Sequence, residues 1–358
     1  MSATSERPVE QGRVEEMLGR FTTDFGAALS FPLVLVGEQL GLFAAMADGE
    51  PVNAAQLARR TGADERHLQE WLSTMAASGY VTYDEASERF HLEPEQALVL
   101  AGEHGPAYIP GAFHVAASVV RDLPQVIEAI RSGDGLGWHE HDQSLFHGTE
   151  RFFRPGYATH LVPEWIPALD GVREKLERGA HVADVGCGYG ASTILMAEAF
   201  PSSRFRGSDY HRESIEHARR SAERAGVADR VDFEVAGAQS FSGRDLDLVC
   251  IFDALHDMGD PLGAARHVRE ALADDGTWMI VEPNAGDRLQ DNLNPVGRVF
   301  YAASTAICTP NAVSQEGGWA LGAQAGEARL RELLEEAGFA RVRRAAETPF
   351  NLVLEARP

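Results

Sequence analysis

The spacing of apolar residues changes twice along the chain, and the changes divide it into three parts. Between residues 25 and 46, Ala27, Leu29, Phe31, Leu33, Val34, Leu40, Leu42 and Phe43 recur at a helical period, which predicts a long amphipathic helix. Residues 1–20 are polar, so a frayed or lightly helical start is expected. A short helix is predicted between Asn53, a favourable N-cap, and Gly62, a favourable terminator. Another spans residues 64–78 with Leu68, Trp71, Leu72 and Met75 on one face. Residues 79–83 and 89–92 then flank a polar turn and read as a hairpin. Helices followed by a hairpin make a mainly α winged-helix domain, taken as residues 1–105.

Residues 106–172 carry two helical patterns, 113–131 and 160–172, around a Gly- and His-rich loop. This part reads as a linker and lid. Its aromatic run, residues 152–157, is expected to fold over a cleft, with Phe153 and Tyr157 against a substrate. From residue 173 onward strands and helices alternate. Strands are predicted at 182–185, 204–209, 231–235, 246–252 and 277–282, with helices at 191–200, 212–225, 260–273 and 327–337 between or after them. Runs 340–344 and 351–355 add a terminal antiparallel hairpin. That alternation predicts an α/β, doubly wound, seven-stranded Rossmann-like sheet.

The whole chain is organised around the first of these strands. After Val182, Ala183, Asp184 and Val185 come glycines at 186, 188 and 190, then an amphipathic helix. A backbone without Cβ can bend sharply there and approach a ligand. Gly186, Gly188 and Ala191 also satisfy the looser dinucleotide-binding fingerprint. The second strand ends in Asp209, where a carboxylate can accept from both ribose hydroxyls of either kind of nucleotide.

Charge narrows the partners. The 358 residues carry a formal net charge of −22, which argues against binding a phosphate backbone or an anionic membrane. Between residues 53 and 95 four arginines face eight acids, so the winged helix is expected to dimerise rather than read DNA. No signal peptide or membrane span is read from the pattern, and a cytoplasmic location is expected. Cys187, Cys250 and Cys308 lack metal-ligand spacing. His139, His141, Asp142 and His147 lie in or near a flexible loop that does not hold them on one face. No metal is expected, and these histidines read as loop or substrate residues.

The pattern acid-x-Gly-x-Gly-x-Gly at 184–190, with Asp209 closing the next strand, resembles motifs I and II of class I S-adenosylmethionine-dependent methyltransferases. Leu255, His256, Asp257, Met258 and Asp260 resemble a motif of small-molecule O-methyltransferases, Met258 standing where that family has Trp. The resemblance implies S-adenosylmethionine as cofactor, a small acceptor, and a homodimer built through the N-terminal domain. It implies His256 as general base, Glu282 orienting it, and Asp257 beside it. It further implies cofactor contacts from Asp184, Gly186, Gly188, Gly190, Asp209, Tyr210, Gln239, Ser240, Phe252 and Asp253. Gln239 replaces a family aspartate toward the adenine, and Phe252 replaces a lysine found in some members. Residues 283–326 are expected to wall the acceptor pocket, with Phe300, Tyr301 and Trp319 forming a flat slot alongside Met258. Methyl transfer to a hydroxyl of an aromatic or polyketide-like metabolite is the leading expectation. N- or C-methylation, a winged-helix regulator, and a protein that uses the cofactor's charge without methylating are the alternatives.

Overall fold

The computed structural model describes residues 9–102, 105 and 107–358. It separates into two compact units, Met1–His114 and Val115–Pro358. Among the described residues no helix is long and apolar enough to cross a membrane.

The first unit opens with a helix, Gln11–Gln39, that begins well before the predicted residue 25 and runs through Pro32. Residues 1–8 of the expected frayed or lightly helical start lie outside the described residues; residues 11–20 are helical. On this half of the helix Met17, Leu18, Phe21, Phe25 and Leu29 are exposed. Helix Ala54–Thr61 is closed at its start by a reciprocal cap between Asn53 and Gln56, and at its end by Gly62 in the left-handed region. Helix Glu65–Ala77, capped by Asp64, lays Leu68, Trp71, Leu72 and Met75 against Val34, Phe43 and Leu57. The hairpin β1 (Thr82–Asp84) and β2 (Arg89–His91) completes the winged helix.

The expected single helix over 113–131 is two, Pro110–Arg121 and Leu123–Ser132. Pro124 accounts for the break, since it lacks the N–H a continuous helix needs and suits the first turn of a new one. The helix expected over 160–172 does not form: that stretch is a π-turn, Leu161–Trp165, and a single short turn, Ile166–Ala168, preceded by a helix, Ser144–His160, with Pro155 inside it. The aromatic run 152–157 is therefore helical, and turns Phe153 and Tyr157 to the same side.

The sheet contains seven strands in the order β5-β4-β3-β6-β7-β9-β8. These are β3 (His181–Val185), β4 (Arg204–Asp209), β5 (Val231–Val235), β6 (Leu246–Phe252), β7 (Leu272–Pro283), β8 (Arg341–Glu347) and β9 (Asn351–Arg357). The first five in spatial order are parallel, and β9 pairs antiparallel with β7 and with β8. Continuous apolar burial along β6 and β7 follows from helices covering both faces. The chain order reverses direction between β3 and β6. Pairing of Val185 with both Ser208 and Ile251, and of Phe252 with Val281, brings the residues after each strand to one rim. Ligands of such sheets bind at this crevice.

Candidate active site

The rim is built from the turn upward. Asp209, at the end of β4, accepts the Gly188 N–H at 3.0 Å and the His211 N–H at 2.8 Å, so one carboxylate fixes the glycine turn and the start of the next helix. Burial raises its pKa. Gly188 has φ +51° and a Cβ there would meet no atom within 4 Å, so its open side faces space rather than protein. Gly190 differs: at φ +81°, a Cβ would lie 2.8 Å from the Phe233 ring. Asp184 does not line the cleft. It is buried beneath the turn, where its Oδ2 accepts from Ser192 Oγ at 2.6 Å and Thr193 Oγ1 at 2.5 Å. Burial pushes this carboxyl up to about 6. Its part is to tie β3 to the helix Ala191–Ala199.

Above the turn lies a cavity of about 410 Å³. Of the residues expected to bind cofactor, Gly186, Gly188, Asp209, Tyr210, Gln239, Phe252 and Asp253 line it, and Asp257, Met258, Phe153 and Tyr157 join them. Tyr157 lies 5.2 Å from the Phe252 ring and stacks on Phe153 at 5.8 Å. Its hydroxyl donates to Asp253 Oδ2 at 3.0 Å, and Asn351 Nδ2, from β9, donates to both Asp253 oxygens at 3.2 and 3.3 Å. Asp253 adopts φ +49°, unusual for a residue with a Cβ. Burial, reinforced by the nearby Glu282 charge, pushes its carboxyl up to about 8.

Gly190, Ser240, His256, Glu282, Phe300, Tyr301 and Trp319 are not part of the cavity lining. Ser240 donates to the Gly237 carbonyl at 3.4 Å on an exposed turn. The expected aromatic slot does not form there: Phe300 is buried, with Phe350 6.4 Å away, and Trp319 stands partly exposed under the Arg329 guanidinium at 5.8 Å. The segment instead reaches the cavity through Asn311, Ser314 and Gln315.

His256 and Glu282 form a buried pair, 4 % and 1 % exposed. Glu282 Oε2 meets His256 Nδ1 at 2.5 Å, and its Oε1 accepts the Leu255 N–H at 2.9 Å. One carboxylate thereby holds both the ring and the backbone of its turn. Burial pulls the imidazole pKa down, but the charge of Glu282 outweighs it, and the net direction is upward. Asp257, on the same turn, has its carboxyl pushed up to about 7, first by burial. An imidazole oriented by a carboxylate in this way is equipped to take a proton from a weakly acidic group.

Two amides that the sequence reading passed over secure this turn. Asn311 Nδ2 and Gln315 Nε2 each donate to the Asp257 carbonyl at 3.0 Å, and Asn311 Oδ1 accepts the Trp138 N–H at 2.9 Å. No local pattern marks either residue. The loop histidines disperse. His139 lines the cavity, His141 Nδ1 contacts Asp122 Oδ2 at 2.9 Å, and His147 lies 5.5 Å from the Tyr189 ring.

Residues 176–338 match the family model described as "Methyltransferase domain". They form a methyltransferase domain. Residues 27–102 match the Rv2258c-like winged HTH domain, so the methyltransferase domain is joined to a winged helix. A trans-aconitate 2-methyltransferase of Paracidovorax citrulli is 32 % identical over 112 residues, 31 % of this chain and 42 % of that protein. The chain thus spans less than half the length of that curated relative. The mitomycin 7-O-methyltransferase MmcR shares the fold at a TM-score of 0.69 and 20 % identity, over 97 % of this chain and 99 % of its own. Human N-acetylserotonin methyltransferase, solved with SAM, superposes at a TM-score of 0.67 and 15 % identity, over 100 % of this chain and 99 % of its own.

Proposed function

We propose that this chain transfers the methyl group of S-adenosylmethionine to a hydroxyl of a small aromatic or polyketide-like acceptor, with His256 as general base. The observation that supports this most is the buried Glu282–His256 pair at the end of a strand adjoining the glycine turn. The residues of the cleft suit the nucleoside. The open side of Gly188 leaves room for close backbone approach, and each Asp209 oxygen, having accepted one backbone N–H, keeps capacity for a ribose hydroxyl. The cavity is also of small-molecule size.

When bound, S-adenosylmethionine supplies a sulfonium methyl open to in-line attack. The chain's own residues do the rest. Gly186, Gly188 and Asp209 hold the nucleoside, Phe252 and Tyr157 form an apolar wall, and Asp253 offers a carboxyl group next to it. Holding the partners in line accounts for most of the rate. His256 takes the acceptor's proton on its outer nitrogen, and Glu282 steadies the imidazolium. The same reading includes a homodimer formed through the exposed apolar face of helix Gln11–Gln39, and a cytoplasmic enzyme that binds neither nucleic acid nor membrane.

Calorimetry with S-adenosylhomocysteine, then mass spectrometry of a phenol panel incubated with S-adenosylmethionine, tests the proposal. Binding and the gain of one methyl are expected, the gain being lost in His256→Ala. Full activity of that variant would shift the reading to N- or C-methylation.

A further inference from the structure

The cavity above the glycine turn is lined by charge of one sign. Glu150, Asp209, Asp253 and Asp257 belong to the lining, and no Arg or Lys among the described residues does. Glu150 pairs with Arg154 at 3.0 Å. A cleft of this kind favours a cation. Three aromatic side chains, Phe153, Tyr157 and Phe252, share the lining with Asp253. The Tyr157 ring centroid lies 5.8 Å from that of Phe153 and 5.2 Å from that of Phe252. The Asp253 carboxyl is fixed among them from two sides: Oδ2 accepts from the Tyr157 hydroxyl and from Asn351 Nδ2, at 3.0 and 3.3 Å. Oδ1 accepts from Asn351 Nδ2 at 3.2 Å, which leaves it capacity for a further partner. Asp253 keeps this place at φ +49°, a strained conformation for a residue with a Cβ.

On the methyltransferase reading above, on which this inference rests, Asp209 at the end of β4 takes the ribose and residues 236–239, after β5, take the base. The sheet order β5-β4-β3-β6 then leads the 5′ substituent past the glycine turn of β3 to the end of β6, where Phe252 and Asp253 stand. We propose that Asp253 and the rings of Phe153, Tyr157 and Phe252 form a subsite for the sulfonium of S-adenosylmethionine, so that the protein favours the charged cofactor over its thioether product. The carboxylate supplies a counter-charge and the aromatic faces attract a cation. Both attractions to the sulfur end with its charge. The groups that act on Asp253 are Glu282 from β7, His256 from the base turn, Tyr157 from helix Ser144–His160 and Asn351 from β9. Burial, with Glu282, raises its carboxyl to about 8. It is therefore protonated at neutral pH, and a cation placed beside it releases that proton.

Titration calorimetry in phosphate and in Tris, buffers of different ionisation enthalpy, counts the protons released on binding. At pH 7 the wild-type protein is expected to release about one proton more than Asp253→Asn on binding S-adenosylmethionine, and at pH 9 the difference closes. Comparing the two proteins cancels the protons of the ligand and those of Asp257. With S-adenosylhomocysteine, which lacks the sulfonium and keeps the ammonium, the two proteins are expected to release equal numbers. From pH 6 to 9 the wild-type preference for S-adenosylmethionine over S-adenosylhomocysteine rises about ten-fold or more relative to Asp253→Asn. Phe153→Leu weakens S-adenosylmethionine about five-fold and leaves S-adenosylhomocysteine within about two-fold. Retained binding of the thioether shows that the cleft of each variant is folded.

Equal proton release by wild type and Asp253→Asn overturns the assignment, as does a Phe153→Leu protein in which both ligands weaken alike. A release difference that persists with S-adenosylhomocysteine also overturns it, and places Asp253 at the ammonium that both ligands carry. Failure of the underlying reading looks different. The wild-type protein then gives no heat with either ligand, whereas the assignment fails alone when both ligands bind and Asp253 does not tell them apart.

Discussion

Glu282 grips His256 twice, directly at Nδ1 over 2.5 Å and indirectly through the backbone N–H of the preceding Leu255 over 2.9 Å. Glu282→Gln keeps the size of the side chain and removes its charge. We expect kcat to fall by roughly 100-fold or more with little change in KM, as when a base loses the group that sets its tautomer. Because Glu282 raises the imidazole pKa, its loss moves the acidic limb of the rate profile to lower pH. A pH–rate profile of the residual activity checks the direction.

Gly188 and Gly190 are both in the left-handed region, yet alanine there has different consequences. Gly190→Ala drives a methyl into Phe233 and Ala218 at 2.8 and 3.0 Å, so the melting temperature falls. Gly188→Ala meets nothing within 4 Å. Its cost to folding is confined to backbone strain of about 1–3 kcal/mol, and its main effect is on nucleoside binding. Differential scanning calorimetry and S-adenosylhomocysteine titration, run side by side, separate the two.

Asp209→Ala removes the acceptor of two backbone N–H groups and, on the proposed reading, the ribose contacts as well. A hydrogen bond to a charged group is worth roughly 1.5–3 kcal/mol, so affinity for S-adenosylhomocysteine falls by about ten-fold or more. An unchanged dissociation constant would remove Asp209 from the site.

Three buried carboxyls titrate high: Asp184 at about 6, Asp257 at about 7 and Asp253 at about 8, each raised from 3.8 chiefly by burial. Folding therefore binds protons between about pH 4 and 8. The stability these groups contribute is fully present below pH 4 and lost as pH rises through the folded values. The ligand-free protein should melt progressively lower from pH 5 to 9. Asp253→Asn, which keeps an oxygen for the Tyr157 hydroxyl, should flatten the upper part of that decline.

Phe21 and Phe25 stack at 5.5 Å on an exposed helix face. If that face joins two copies, Phe21→Glu with Phe25→Glu yields a monomer in light scattering, with the fold of the methyltransferase domain unchanged by circular dichroism. A dimer that survives both changes places the interface elsewhere.

Local chemistry explains which parts of this arrangement were legible beforehand. The glycine turn, Asp209, and the His256 and Glu282 positions lie at strand ends, where apolar runs and turn residues make the register readable. Asn53 and Gly62 announced their helix because caps act over three or four residues. The helix Ser144–His160, which continues through Pro155, was not predicted. Asp184 looked like a ligand because sequence gives the strand but not which hydroxyls meet it, here Ser192 and Thr193. Asn311, Gln315 and Asn351 act across long loops, on partners 54, 58 and 98 residues away. Ordinary amides leave no periodic trace of such a role.

Asn311 also joins two events that are separate in principle. Its oxygen reads the position of the 136–138 loop at Trp138, and its nitrogen fixes the carbonyl of Asp257 beside the base. If His256 is the base proposed above, a molecule that keeps this loop from settling is expected to slow turnover more than it weakens binding.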